Sequence, residues 1–382
     1  MEALAAANET GKTKKRRFRG IAFLMAILLC FSLLTGCSDE QIEEGIGVAI
    51  DILFDVLSPD TEETEGNTDP TQNSDVTHEK VEVDGEMTVH FISVGQSDAT
   101  LFVCDGEVML FDAALKSQGD ELVEYIKGLG IDTIDVMVLS HPHDDHMGGS
   151  AYVLNNLNVE VVYAPDVFEL MAEEGDDAPG WYEDLLESVE RIDAERNGEL
   201  PEEEWISIWQ FPRNDEGKFA KFNIGEAVVE FLAPLEDEYS DKNDYSICAK
   251  VTYGTVDIML TGDATSEVER DLIKEGYNLD VEVFQASHHG SDTGNCKEFL
   301  EAMTPDCIVI SCGMKNRYSH PIKSVMDLYK EMEIPVYRTD EQGHIVMTTD
   351  GTDYSFNVGY GTYTSGAEYK EQGDWCNGGG AN

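Results

Sequence analysis

The 382-residue chain reads as an α/β protein in which sheets are covered by helices. Three observations predict this. Apolar, β-rich runs bounded by turn residues recur from residue 87 onward. Helix-period segments lie between the later runs. Hydrophobic residues make up 41% of the chain, enough for a sizeable core and too many for global disorder. Sheets with helices outside are the expected layering, while periodicity leaves the number of sheets open.

The first residues read as an address. Lys12, Lys14, Lys15, Arg16, Arg17 and Arg19 precede an apolar run at 21–34, which has signal-peptide length and is short for a membrane-spanning helix. The run ends Leu34-Thr35-Gly36-Cys37, which resembles the bacterial lipobox. That resemblance implies a signal peptide at 1–36, diacylglycerol on Cys37, and a lipoprotein anchored in the cell membrane with its domain on the extracellular face. A plain secretory signal or an uncleaved anchor is the alternative. Residues 37–86 then form a tether, with an amphipathic helix at 42–57 and a solvated, acidic linker at 58–80.

Charge narrows the partners. The chain carries 25 Lys+Arg against 77 Asp+Glu, a net −52; without residues 1–36 these become 19 and 75, or −56. Such a chain is repelled by phosphate backbones and anionic lipid, so a phosphate substrate needs a local positive feature. A metal ion is the first candidate. Cysteine does not supply its site, because no Cys-x-x-Cys pair is present.

The folded domain is predicted over 87–360, with a tail at 361–382. Strands are predicted at 88–94, 100–104 and 108–111, then a helix at 118–129 and a buried strand at 134–139. Further strands read at 159–163, 227–232, 247–253, 256–260, 281–285, 307–311 and 344–348, with helices at 265–275, 296–303 and 322–332. An acidic insertion at 166–221 carries Trp181, Trp205 and Trp209 and is too long for a simple connection. It reads either as a lid or, the favoured expectation, as a segment packed onto the domain by its aromatics.

Chemistry gathers at predicted strand ends. Ser140-His141-Pro142-His143-Asp144-Asp145-His146-Met147-Gly148-Gly149 follows the buried strand, and residues two apart in extended chain point the same way. His141 and His143 can therefore share one ion, with Asp145 and His146 serving a second where the chain turns. The glycines suit a tight turn. Thr261-Gly262-Asp263 closes another apolar strand and offers a carboxylate able to bridge two ions. Ser287-His288-His289-Gly290-Ser291 brings a further imidazole.

His141-x-His143-x-Asp145-His146, Thr261-Gly262-Asp263 and His288 together resemble the metallo-β-lactamase superfamily. More narrowly, the run Phe91-Ile92-Ser93-Val94-Gly95-Gln96-Ser97-Asp98-Ala99 is similar to the hydrolase domain of ComEC-type DNA-uptake proteins. Leu110-Phe111-Asp112, the His288-His289 segment, Gly313 to Pro321 and Tyr337-Arg338-Thr339-Asp340 share that similarity, which spans about 87 to 349. It implies an αββα sandwich with a two-metal hydrolytic site at the sheet edges. His141 and His143 would bind one ion, Asp145, His146 and His288 the other, and Asp263 would bridge. Choosing His288 over His289 rests on order in the motif. Asp112 would orient a ligand, and Gln96, Asp98, Asn243, Ser246 and His289 would surround the ligands or meet substrate.

Two departures matter. Many superfamily members place another histidine between the first cluster and the bridging aspartate; here none occurs from Met147 to Ser287, as in ComEC-like domains. Fewer nitrogen ligands make manganese competitive with zinc. Ser97 also replaces a family glycine. The implied chemistry is hydrolysis by a metal-activated water, with Asp145, Asp263 and His320 at the reaction and His320 donating to a leaving group or holding a phosphate oxygen. Lys315 and Arg317 are cations suited to gripping a phosphodiester. The expected activity is a phosphodiesterase or nuclease, with nucleic acid among its substrates. Alternatives are hydrolysis of a phosphocholine or teichoic-acid ester or a lactone, and a non-catalytic binding lipoprotein. β-Lactam hydrolysis is least favoured by the ligand departure.

Overall fold

The computed structural model describes residues 83, 85–173, 179–198, 200–201, 205–214 and 216–372. The signal segment, Cys37 and nearly all of the tether lie outside the described residues. In chain order, β1 (Met87–Phe91), β2 (Thr100–Cys104) and β3 (Glu107–Phe111) form an antiparallel meander. Helix α1 (Gly119–Gly128) crosses to β4 (Thr133–Val138), which runs parallel to β3. The short α2 (Asp144–Met147) and α3 (Ser150–Asn156) lead to β5 (Asn158–Tyr163). Then come α4 (Phe168–Glu173), α5 (Gly180–Asn197) and β6 (Trp209–Gln210).

The second half begins with the antiparallel run β7 (Lys221–Ile224), β8 (Ala227–Ala233), β9 (Cys248–Tyr253) and β10 (Val256–Leu260). Parallel crossovers follow through α6 (Ser266–Glu275), β11 (Val283–Gln285), α7 (Lys297–Met303), β12 (Cys307–Ile310), α8 (Lys323–Glu331) and β13 (Val336–Arg338). The short α9 (Thr339–Gln342), β14 (Ile345–Thr349), β15 (Tyr354–Phe356) and α10 (Gly366–Gln372) complete the order.

The strands make two sheets, β15-β14-β1-β2-β3-β4-β5-β6 and β13-β12-β11-β10-β9-β8-β7. Strand alternation decides how they pack. Val89, Phe91, Phe102, Met109 and Phe111 from the first sheet meet Phe231, Val251, Ile258, Leu260 and Val309 from the second in one buried cluster. Met259, between Ile258 and Leu260, turns the other way onto Val268, Leu272 and Phe299 beneath α6 and α7. Burial on both faces explains why β10 is apolar apart from Asp257, which pairs with Lys250, each large apolar side chain contributing about 1.5–3 kcal/mol. The αββα sandwich implied by the resemblance is therefore the observed architecture.

Strands predicted at 100–104 and 256–260 coincide with β2 and β10. The insertion contains three unpredicted pieces of regular structure, α4, α5 and β6. Trp181, Tyr182, Leu185, Leu186, Val189 and Ile192 recur at helical spacing on α5 and are buried, while Glu183, Glu187, Glu190 and Glu195 are exposed. Asn155 Nδ2 donates to Ser188 Oγ at 3.0 Å, and Arg191 reaches the Leu154 carbonyl, fastening α5 to α3. Trp209, also buried, extends the first sheet by pairing β6 with β5. The insertion thus packs on the domain, and two of its three tryptophans serve that packing instead of a lid.

The expected tail is corrected in part. Residues 361–372 belong to the domain because the fully buried Arg338 guanidinium donates to the carbonyls of Thr362 and Thr364 while bridging to Asp340 and Glu341. A buried guanidinium needs all of its donors satisfied, so it holds the C-terminal strand of chain in place.

Candidate metal centre

Every loop bearing the predicted ligands leaves the same edge of the sandwich. Asp112 follows β3, His141 to His146 follow β4, Asp263 follows β10, His288 and His289 follow β11, and His320 lies beyond β12. The chain does not reach His143 in extended form as expected. The strand ends at Val138, and the His143 N–H donates to the His141 carbonyl at 2.9 Å, a tight turn that still brings the rings together. His141 Nε2 and His143 Nδ1 are 2.9 Å apart.

Gly148 and Gly149 also differ from expectation. Neither has a positive φ (−60° and −85°). They are needed because an added Cβ would meet the Asp144 carbonyl at 2.3 Å and the Ala113 carbonyl at 2.2 Å. Gly262 needs both freedoms: its φ is +50°, and a Cβ would sit 2.8 Å from Ser140.

Asp112 organises the first cluster from below. In a left-handed conformation (φ 62°), its carboxylate accepts from Ser140 N at 2.7 Å, Ser140 Oγ at 2.8 Å and His146 Nδ1 at 2.7 Å. The Ser140 hydroxyl proton is thereby committed, so its oxygen accepts from His141 Nδ1 at 3.0 Å. When neutral, both rings therefore carry their hydrogen on Nδ1 and turn the Nε2 lone pair inward. Across the site, His289 Nδ1 donates to the Ser311 carbonyl at 2.9 Å, fixing the same tautomer.

Three atoms then stand out. His146 Nε2, His289 Nε2 and Asp263 Oδ1 are buried without a hydrogen-bond partner among the described residues. His146 Nε2 is 3.1 Å and His289 Nε2 3.8 Å from Asp263 Oδ1, and His289 Nε2 is 3.3 Å from Asp145 Oδ2. Lone pairs and carboxylate oxygens converging in a dry space repel one another unless a cation lies between them. The field agrees. Burial alone would lower the His289 pKa, but Asp263, Asp98 and Asp145 override it and raise it to about 9. Burial would likewise raise Asp145, yet His289 and His146 bring its carboxyl below the ordinary range. A field that holds a proton on these rings also holds a divalent cation, so the residues fit one.

His288 and His289 are placed differently from expectation. The expected partnership of His288 with Asp145 and His146 is corrected, because His289 occupies that position. His288 lies 3.3 Å from the other oxygen, Asp263 Oδ2, on the side of His141, which is 3.7 Å from it. Two successive left-handed residues (φ 50° and 54°) send the two rings to different oxygens. Such conformations cost about 1–3 kcal/mol each and persist only when their surroundings enforce them.

The enforcing group is one that motif reading missed. Glu269, buried on α6, accepts from Ser287 Oγ (2.8 Å), Asn295 N (2.6 Å) and Cys296 N (2.8 Å). Asn295 Nδ2 in turn donates to the carbonyls of Ser287 and Ser291, each at 2.8 Å. The sequence signal was a glutamate on the apolar face of an amphipathic helix.

The remaining predicted residues surround this centre. Asp98 accepts from Gln285 Nε2 at 3.2 Å and lies 3.8 and 4.0 Å from the Nδ1 atoms of His289 and His146. One of its oxygens also lies within 4.8 Å of ligand atoms of His146, Asp263 and His289, so Asp98 belongs to the group that could hold an ion. Burial raises its pKa to about 6, against the lowering effect of His289 and His146. Ser246 Oγ accepts from Asp263 N at 3.1 Å, and Asn243 is buried beside it in a 3-10 turn. Gln96 Oε1 accepts from Gly313 N at 3.0 Å, which turns its Nε2 toward His320 Nδ1 at 3.5 Å. Burial and then His289 and His288 lower the His320 pKa to about 3. Ser97 donates to Gln118 Oε1 at 2.8 Å, so its replacement of glycine is accommodated away from the ligands. His90 and His344 flank Tyr125 apart from the centre, as expected of histidines outside the clusters.

Residues 92–313 match the family model described as the Metallo-beta-lactamase superfamily. Among curated proteins, the chain is 27% identical over 224 residues to ComE operon protein 3 of Bacillus subtilis (strain 168), covering 59% of this chain and 26% of that protein. It is 27% identical over 262 residues to Competence protein ComA of Neisseria gonorrhoeae, covering 68% of this chain and 32% of that protein. The chain thus spans about a quarter to a third of the length of these relatives. Among solved structures, the metallo-beta-lactamase fold protein YhfI from Bacillus subtilis aligns with a TM-score of 0.42 at 11% identity, covering 69% of this chain and 100% of that one.

Proposed function

The chain belongs to the metallo-β-lactamase superfamily, and from that premise we propose that it is a metal-dependent phosphodiesterase, acting on nucleic acid and exported as a lipoprotein anchored at Cys37. The observation that carries the hydrolase reading is the buried convergence of His146 Nε2, His289 Nε2 and Asp263 Oδ1 without partners. Asp145, His146, His289 and Asp263 Oδ1 would hold one divalent ion, and His141, His143, His288 and Asp263 Oδ2 the other. Mixed nitrogen and oxygen donors suit zinc or manganese. Two such ions supply Lewis acidity, a nucleophilic water at neutral pH and the positive field that this acidic chain otherwise lacks.

Of the two roles expected of His320, we favour the holding of a phosphate oxygen. With its pKa near 3 it is neutral, and a neutral imidazole is a poor acid for a leaving group. Its Nδ1 accepts from Gln96, so Nε2 carries the hydrogen and is suited to holding a phosphoryl oxygen. Lys315 and Arg317 on the same loop supply charge for a diester. The competence relatives support nucleic acid as the substrate class. Of the three tryptophans behind the choline alternative, Trp181 and Trp209 are buried in packing and Trp205 is half-buried.

A substrate panel on the full-length protein with zinc or manganese tests this reading. It comprises single- and double-stranded DNA, RNA, a chromogenic phosphodiester, phosphocholine and a lactone. The expected result is metal-dependent diester cleavage that falls on the order of 10²-fold or more in His143→Ala, since that ring has no replacement. Cleavage surviving His143→Ala refutes the site, lactone cleavage alone refutes the substrate, and metal binding without any turnover favours a binding protein.

A further inference from the structure

We infer that the loop between β12 and α8 carries a stacking subsite for an unpaired nucleobase of the substrate strand. The inference rests on the phosphodiesterase reading and narrows it to single-stranded nucleic acid. Flat groups lead outward from the candidate metal centre. The His289 and His320 rings have centroids 6.2 Å apart at 29°, and His320 and Tyr318 follow at 5.5 Å and 24°. The Arg317 guanidinium then lies 4.7 Å from the Tyr318 ring centre. Tyr318 is 48% exposed and Met314, on the same loop, 51% exposed.

This aromatic is presented on a braced loop. Asn316 Nδ2 donates to the carbonyls of Gly313 (2.8 Å) and His320 (2.7 Å), and Asn316 Oδ1 accepts from His320 N at 3.0 Å. Lys370 Nζ on α10 donates to Ser319 Oγ at 2.6 Å, and Gly366 N donates to the Pro321 carbonyl at 3.0 Å. Lys315 and Ser319 are held left-handed at φ 62° and 68°, strain of the kind that surrounding structure must sustain at a working site. The loop thus places Tyr318 in a fixed relation to His320.

Charge selects the ligand. A chain of net −52 repels a polyanion at long range, so affinity must arise at contact. Base stacking on an aromatic is worth about 1–3 kcal/mol per base and needs an exposed base face, which a duplex hides. Arg317 and Lys315 add local charge for the adjoining phosphates. A cavity of about 310 Å³ opens beside the loop, lined by Met314, Lys315 and His320 on one side and Glu341 and Tyr369 on the other. Glu341 there is bridged to Arg338, which leaves little attraction for a choline headgroup.

The test uses the full-length protein with manganese and fluorescent oligothymidylate, an abasic strand of equal length and a duplex, read by anisotropy. The single strand bearing bases is expected to bind about ten-fold tighter than the abasic one, in the lower part of the stacking range. Tyr318→Ala should erase most of that ratio and Tyr318→Phe keep it. On cleavable strands, Tyr318→Ala should raise KM far more than it lowers kcat. Equal wild-type binding to abasic and base-bearing strands, equal loss on both in Tyr318→Ala, or tighter binding of duplex overturns the subsite. Failure to hydrolyse methyl p-nitrophenyl phosphate overturns the broader reading instead, while the binding ratio still reports on stacking.

Discussion

The two oxygens of Asp263 look out on unlike halves of one centre. On the Oδ1 side, His146 and His289 are buried, each has its Nδ1 committed to an acceptor, and Asp145 closes the set. On the Oδ2 side, His141 is buried but His143 and His288 are partly exposed, and His288 Nδ1 is paired only with the Thr293 hydroxyl at 2.8 Å. The ligand chemistry is nearly the same in both. What differs is preorganisation: one half has its tautomers and orientations fixed in a dry space, and the other adjusts at the solvent boundary. Two ions bound there should therefore differ in affinity, the Oδ1 ion being the tighter.

Removing the shared carboxylate gives the largest effect. Asp263→Ala deletes a ligand from both halves and leaves the Nε2 atoms of His146 and His289 without a counter-charge. A loss of about 4 kcal/mol of stabilisation corresponds to about 10³-fold in rate, and both metal equivalents should go together. Elemental analysis after gel filtration, alongside kcat, checks this. Retention of one full equivalent would show that the halves are independent and break the comparison.

Asp112→Asn sharpens it with a smaller effect. The asparagine NH₂ placed against His146 Nδ1 would demand an acceptor there, moving the ring hydrogen to Nε2 and cancelling a ligand lone pair. Losses of about 10- to 100-fold in metal affinity are usual when such an orienting carboxylate is changed. Competition with a chromogenic chelator should show the tighter equivalent weakened most, because His141 feels Asp112 only through Ser140. Equal weakening of both would mean that Asp112 serves the whole loop and not chiefly His146.

Sequence pointed to the candidate ligands of this centre and to little of what surrounds them. Histidines and aspartates at strand ends carry their chemistry in their identities, so His141, His143, Asp145, His146 and Asp263 could be read from spacing. The sandwich strands were legible in the interior of each sheet, as in β10, and less so at the edges, where β6, β7 and β15 are short and partly exposed and β13 is buried but only three residues long. Choosing between His288 and His289 required backbone angles, because two neighbouring left-handed residues reverse the rule that order in the chain tracks order in space. Gln285 and Glu269 were illegible for a different reason. Each is a common polar residue whose role exists only through burial and partners far away in sequence, as when Gln285 joins Thr100, Asp98 and Ser311.

Glu269→Gln is the mildest of the three changes and probes both halves through the backbone. Its carboxylate accepts three donors, Ser287 Oγ, Asn295 N and Cys296 N. A glutamine amide can accept at one oxygen but presents hydrogens where the other donors point, leaving a buried donor unpaired at about 1–3 kcal/mol. That cost falls on the turn that holds His288 and His289 left-handed, so the rings should lose alignment with both oxygens of Asp263 at once. The expected result is a loss of metal affinity below about ten-fold, the low end for an orienting group, spread over both equivalents. Denaturant midpoints should fall in step, with Glu269→Ala worse than Glu269→Gln. If stability falls while both affinities stay unchanged, Glu269 supports the fold alone, and the left-handed pair is held by Asn295 and the Gly262 carbonyl without it.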